Sequence, residues 1–191
     1  MKVILASKSP RRIEILHNHG VDAIIMPSEA DETLPADIGM NEAVEMLAER
    51  KAHACYDTVR GNKAYSGHII IGADTIVWKD EIMGKPEDMA DARRMLEKIR
   101  GTVHYVVTGV ALIDADTGKA TVFSDTTEVH CKNYTDEDID EYLAMEEPYD
   151  KAGSYAIQGY FGKHIDRIEG DYENVVGLPF YRIEPLIAEY I

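Results

Sequence analysis

The stretch from His68 to Trp78 is apolar at nearly every position and includes three consecutive isoleucines. Such a continuous apolar run is typical of a β-strand buried at the centre of a sheet. Asp74 interrupts it, and an ionised carboxylate is costly in apolar surroundings unless it is paired or metal-bound. We therefore predict that Asp74 is an acid, a base or a metal ligand. The alternative is that the carboxylate merely marks the end of the strand.

A second inner strand is predicted at 3–5, directly before a helix that begins near Pro10 with Ser9 as its N-cap. The amides of a first helical turn have no partner in the helix, and the helix dipole is positive there. Arg11 and Arg12 occupy that turn although the dipole disfavours cations, which indicates a compensating anion such as phosphate. The alternative is an ordinary capped helix with solvated arginines. The residues predicted to surround the anion are Ser7, Lys8, Arg11 and Arg12.

Residues 27–35 form an acidic loop bounded by prolines, without the apolar periodicity of a helix. Acidic loops are commonly just solvated charge. Opposite a phosphate site, however, a carboxylate of this loop could hold Mg²⁺ or Mn²⁺, which prefer oxygen ligands.

A helix is predicted from Asn41 to about Arg60, with an apolar stripe at helical spacing. Lys51 falls on that stripe. Its ammonium either reaches back to the solvent or points into a cavity that holds an anion, so Lys51 is a second candidate for phosphate binding.

The central strand is predicted to return through a hairpin to Lys85, which lies between a glycine and a proline. A later segment, 148–159, is rich in glycine and small residues. Its Tyr155 and Gln158 offer a ring and an amide of the kind that can read a base edge, although the composition also fits a simple glycine-rich loop.

The chain has 191 residues and a formal net charge of −15, which argues against a general nucleic-acid surface. One compact domain over residues 1–191 is the expected organisation, because no segment resembles a linker. Two cysteines and no apolar signal segment favour a reduced, cytoplasmic protein. No apolar run approaches the roughly 20 residues of a membrane helix.

Taken together, the chain resembles the Maf family of nucleoside triphosphate pyrophosphatases. The resemblance rests on an ordered set of motifs over essentially the whole chain, which is far more specific than one motif alone. The motifs lie at 6–12, 31–32, around Lys51, and at 72–75, 84–86, 150–159 and 177–179.

The resemblance implies an α/β fold in which a bent mixed β-sheet is flanked by helices, with a cleft between two lobes. It also implies cleavage of a nucleoside triphosphate to the monophosphate and pyrophosphate with a divalent metal cation, Mg²⁺ or Mn²⁺. The Gly-Ala-Asp-Thr and Ile-Gln-Gly segments resemble the subgroup that acts on dTTP and UTP, with a house-cleaning role that extends to modified pyrimidine nucleotides.

Carried over by position, the resemblance implies that Asp74 activates the attacking water and that Glu32 helps to bind the metal. The neighbouring Asp31 is an alternative metal ligand. The residues implied to hold the triphosphate are Ser7, Arg11, Arg12, Lys51 and Lys85. Those implied to choose the base are Arg12, Thr75 and Gln158.

The resemblance also suggests a homodimer. The alternative function is a non-enzymatic, nucleotide-binding regulator of cell division, because the family has been associated with inhibition of septum formation. Neither a nucleic acid nor a membrane is expected as a partner.

Overall fold

The computed structural model describes residues 2–27 and 29–191. Ser28, which belongs to the predicted acidic loop, lies outside the described residues, as does Met1. The strands are β1 Val3–Leu5, β2 Ile24–Ile25, β3 Ile69–Trp78, β4 Ile82–Met83, β5 Val103–Asp114, β6 Ala120–Cys131 and β7 Ile165–Glu169. The α-helices are α1 Pro10–Asn18, α2 Met40–Val59, α3 Met89–Ile99, α4 Asp136–Leu143, α5 Tyr172–Val176 and α6 Phe180–Ile187.

The strands of the described chain form one mixed sheet in the order β2-β1-β3-β5-β6-β7, with β4 paired to β3. β1 runs parallel to both β2 and β3, whereas the β3–β4 and β6–β7 pairs are antiparallel. The predicted α/β fold on a mixed sheet flanked by helices is thereby confirmed. Among residues 2–27 and 29–191, no helix is both long and apolar enough to cross a membrane.

The chain divides into two compact units. The first comprises Met1–Asp74, Thr108–Asp125 and Gly177–Ile191, and the second comprises Thr75–Val107 and Thr126–Val176. The single domain and the cleft both stay predictions.

The first unit has a core of small and β-branched residues between α2 and the strands. Glycines let the helix lie directly on the sheet. A Cβ added at Gly72 of β3 would meet the carbonyl oxygen of Ala48 at 2.4 Å, and one added at Gly109 of β5 would meet that of Val44 at 2.2 Å. The backbones of α2 and the two strands are therefore in van der Waals contact, which fixes the height and rotation of the helix.

The second unit has a larger, more aromatic core. The sequence predicts a helix with Asp88 as its N-cap and an inner face of four apolar residues, and α3 buries these four, Ala92, Met95, Leu96 and Ile99. The predicted cap is confirmed, since the Asp88 side chain accepts a hydrogen bond from the Asp91 amide. The sequence also predicts a capping box of Thr135 and Asp138, and α4 starts with it.

Two local predictions are wrong in detail. The strand expected from Val21 to Met26 is reduced to the two exposed residues of β2. The N-cap of α2 is Gly39, and Asn41 instead lies within the helix and donates a hydrogen bond to Ser124 Oγ. Ser9 is the N-cap of α1 as predicted, and its side chain makes no capping hydrogen bond.

Candidate active site

Lys51 and Asp74 form a close ion pair in the first unit. Lys51 Nζ lies 2.5 Å from Asp74 Oδ1, and the two side chains are only 17% and 15% exposed. Gly72 and Asp74 are two residues apart on β3, so their substituents face the same side. Because Gly72 lets α2 lie close to β3, Lys51, which is one turn beyond Ala48, reaches the Asp74 carboxylate. The interpretation of Lys51 as a residue that merely reaches back to the solvent is therefore wrong.

A second carboxylate converges on the same ammonium. Glu32 Oε1 lies 2.8 Å from Lys51 Nζ, although the Glu32 side chain is 66% exposed. Arg50 holds this loop by donating hydrogen bonds to the carbonyl oxygens of Asp31 and Thr33, at 3.0 and 2.7 Å. The loop is thus tied to the residue next to Lys51.

Asp31 has a different role from Glu32. Its carboxylate accepts a hydrogen bond from the Thr33 amide at 2.9 Å, and hydrogen bonding to Thr33 lowers the pKa of Asp31 below its ordinary value. Asp31 shapes the loop, whereas Glu32 is the residue of the pair that points its carboxylate at Lys51.

The start of α1 is built around Ser7 and Arg12. Ser7 Oγ accepts hydrogen bonds from the Ser9 amide and from Arg12 Nη1, both at 3.2 Å. Arg12 Nε donates to the carbonyl oxygen of Gly177 at 2.8 Å. Arg12 therefore joins the first strand–helix turn to the Gly177-Leu178-Pro179 segment that precedes α6.

The first turn of α1 interacts electrostatically with the Lys51 and Asp74 pair. Desolvation lowers the pKa of Arg12 from its ordinary value, and the negative charge of Asp74 opposes that shift. The two groups are thus close enough to interact electrostatically. Of the residues predicted to carry function, the first unit brings together Ser7, Arg12, Glu32, Lys51 and Asp74, with Arg11 half-buried in the first turn of α1.

The second unit contains three further predicted residues. Lys85 Nζ lies 2.9 Å from Asp150 Oδ1, and this hydrogen bond holds the pKa of Asp150 below its ordinary value. Lys151 contacts the other carboxylate oxygen at 3.2 Å. Thr75 is half-buried on β3, and Gln158 is exposed.

Tyr155 does not offer its ring to a base, so that expectation is wrong. The residue is buried, and its hydroxyl forms a 2.7 Å hydrogen bond with Nε2 of the fully buried His104. Burial lowers the pKa of His104 to about 3, so the imidazole is neutral and can accept this bond. Tyr155 anchors the glycine-rich segment instead of contacting a ligand.

The backbone directly before Tyr155 is strained. Gly153 and Ser154 have positive φ angles of 66° and 64°, and Ser154 is fully buried. A Cβ at Gly153 would lie 2.8 Å from a methyl group of Val77, so only glycine fits beside β3. Both residues lie between Lys151 and Gln158, in the segment that Tyr155 anchors.

Sequence reasoning missed three residues that shape these groups, namely Arg50, His104 and Lys151. Arg50 looks like any exposed helix residue, and His104 looks like any polar residue in a strand. Lys151 carried a usable signal, because it lies in the motif at 150–159 and adjoins the acid that pairs with Lys85.

Comparison with known proteins gives a consistent result. A family model described as "Maf-like protein" matches residues 2–190. A dTTP/UTP pyrophosphatase of Acetivibrio thermocellus is 42% identical over 191 residues, covering 100% of this chain and 96% of that protein. One from Bacillus anthracis is 45% identical, covering 95% and 92%. One from Caldicellulosiruptor bescii is 40% identical, covering 98% and 94%.

Proposed function

This chain belongs to the Maf family, and we propose that it hydrolyses dTTP and UTP to the corresponding monophosphate and pyrophosphate. Full-length relatives named dTTP/UTP pyrophosphatase support the proposal. The structural observation that carries it is the arrangement of Asp74 and Glu32 around the ammonium of Lys51, beside the arginine-bearing start of α1. Few sites without phosphate chemistry need so many opposite charges in so small a space.

Asp74 is proposed to orient the water that attacks the α-phosphorus and to accept its proton. Its carboxylate is fixed by a β-strand on one side and by Lys51 on the other, so little reorganisation is needed when a substrate arrives. A carboxylate held in this way is suited to general-base catalysis.

The start of α1 is proposed to bind the phosphate chain. Pro10 has no amide hydrogen and the Ser9 side chain makes no capping bond, and the positive end of the helix dipole favours an anion at this turn. Arg11 and Arg12 add charge there, and Lys51 adds an ammonium close to Asp74. Arg12 is already oriented by Gly177 and Ser7, which limits the entropy lost on binding.

The carboxylates also fit a divalent cation. Glu32 and Asp74 both direct an oxygen at one cationic group, and oxygen donors are what Mg²⁺ and Mn²⁺ prefer. Glu32 would hold the metal, because its exposed carboxylate already points towards the same group as Asp74. A cation bound there would offset negative charge on the phosphate oxygens.

Roles for Lys85, Thr75 and Gln158 rest on the family resemblance. We propose that Lys85 contributes to triphosphate binding and that Thr75 and Gln158, with Arg12, contribute to base choice. The buried Tyr155 to His104 hydrogen bond supports this for Gln158, because it fixes the chain three residues before the amide. Homodimer formation and a cytoplasmic location stay predictions.

The test is a panel of nucleoside triphosphates, each assayed with Mg²⁺ and with Mn²⁺ for pyrophosphate release. We expect dTTP and UTP to be cleaved fastest, with pyrophosphate as the product in place of orthophosphate. Tight binding of dTTP without pyrophosphate release under either metal would favour the nucleotide-sensing regulator instead.

A further inference from the structure

Three potential metal ligands meet on the outer face of the β6–β7 pair, in the second unit. Glu128 lies directly opposite Glu169 in the antiparallel register, and His130 lies two residues further along β6. Side chains two residues apart on a strand project to the same face, which brings Glu128 and His130 together beside Glu169. One ligand atom from each of the three residues lies within 4.8 Å of the others.

The imidazole of His130 points into this group without a hydrogen bond. Its Nε2 atom is inaccessible to solvent and has no hydrogen-bond partner among the described residues, and the side chain as a whole is 14% exposed. Burying a polar nitrogen without a hydrogen bond costs free energy, so we expect His130 Nε2 to bind a ligand.

The distances indicate which partner fits. His130 Nε2 lies 3.6 Å from Glu128 Oε2 and 3.4 Å from Glu169 Oε1. Direct hydrogen bonds would be about 2.7–3.2 Å long. Zinc bonds of about 2.0–2.2 Å in a tetrahedral arrangement place neighbouring ligand atoms about 3.3–3.6 Å apart. An octahedral Mg²⁺ site would bring them to about 3 Å, and Mg²⁺ does not favour nitrogen.

The local charges also favour a bound cation. Two glutamates directly opposite each other on neighbouring strands repel, and this pair lies on a chain with a net charge of −15. Arg167 offsets part of that charge, because its Nη2 and Nε both lie close to Glu169 Oε1, at 3.1 and 3.2 Å. Since the guanidinium occupies both lone pairs of that oxygen, a metal would bind the other carboxylate oxygen of Glu169.

We propose that Glu128, His130 and Glu169 form a binding site for a zinc-class divalent cation, separate from the residues assigned to pyrophosphate chemistry. A solvent molecule would complete the tetrahedron on the exposed side. An ion held there joins β7 to β6, so it tethers the terminal strand of the sheet. The proposal does not depend on the pyrophosphatase activity.

The test uses the full chain, stripped of metal and titrated with Zn²⁺ in the presence of excess Mg²⁺ to occupy oxygen-only sites. We expect binding of one Zn²⁺ by isothermal titration calorimetry and a higher Tm of the zinc-loaded protein. The same titration with Co²⁺ should give the visible absorption of a tetrahedral ion.

His130→Gln removes the nitrogen ligand at similar volume and should weaken Zn²⁺ binding at least ~10-fold, because even residues that only orient a ligand contribute that much. The matched control is His53→Gln, whose imidazole lies 3.7 Å from Glu49 on the surface of α2 and should leave binding unchanged. If His130→Gln fails to fold, the exposed Glu169→Gln serves in its place. Absence of Zn²⁺ binding by the wild type, or equal binding by the variant and the wild type, would overturn the proposal.

Discussion

Lys51 Nζ lies 2.5 Å from Asp74 Oδ1, so a helix and the central strand of the sheet meet in a single ion pair. This pair places the proposed proton acceptor and a proposed phosphate-binding cation side by side. The ion pair can form because glycines of the sheet let α2 lie directly on the strands, so the packing of the first unit positions these charged groups.

Replacing Asp74 with asparagine tests the role of the carboxylate in catalysis. Asp74→Asn should lower kcat about 10²–10⁴-fold, the usual contribution of a general base, while KM for dTTP changes little. The control is Asp57→Asn, which removes only a surface ion pair with Arg60. Near-normal turnover by Asp74→Asn would remove this carboxylate from the mechanism.

A double-mutant cycle tests the energetic coupling of the pair. Lys51→Met leaves Asp74 ionised and largely buried, which should lower the free energy of unfolding by about 1–3 kcal/mol. Adding Asp74→Asn should restore most of that loss, because the uncompensated charge disappears. Urea denaturation of the four proteins measures the coupling, and strictly additive effects would show that the two groups do not interact.

Gly72→Ala tests whether the close approach of α2 positions Lys51. The new Cβ would lie 2.4 Å from the carbonyl oxygen of Ala48, so the helix must shift, at a cost of about 1–3 kcal/mol. We also expect kcat/KM to fall, since Lys51 moves with the helix. For stability the control is Gly84→Ala, whose Cβ would meet nothing within 4 Å. A variant as stable and active as the wild type would disprove the packing argument.

The buried His104 makes a prediction about acid stability. Its pKa is lowered to about 3 in the native state, whereas an unfolded histidine titrates near ~6.5. Below ~6.5 the unfolded chain binds a proton that the native chain does not, so stability falls with decreasing pH until about 3. The His104 contribution approaches ~1.4 kcal/mol per pH unit within that window.

The measurement is urea denaturation of the wild type and of His104→Gln at several pH values between 6.5 and 4. The variant should be less stable near neutrality, because Tyr155 loses its acceptor, but it should lose stability less steeply as the pH falls. Parallel curves for the two proteins would show that the imidazole is not held neutral by burial.

Much of this protein follows from local sequence patterns. Three features were predicted because each depends on residues within a few positions of one another: the apolar run around Asp74, the Ser9-Pro10 start of α1 and the capping residues of α3 and α4. The predicted strand at β2 was too long, because apolar composition alone does not determine how many residues pair with a neighbouring strand.

The interactions between distant residues were decided by the tertiary structure. Asp31 and Glu32 are adjacent in sequence and chemically alike, and only the tether from Arg50 directs Glu32 towards Lys51. The sequence left open whether Tyr155 faces a base or belongs to a structural glycine-rich loop, and a histidine 51 positions away holds its hydroxyl in the core. Sequence by itself therefore indicated which residues are candidates for chemistry, whereas packing determined where each side chain points, because burial and hydrogen bonding join residues far apart in the chain.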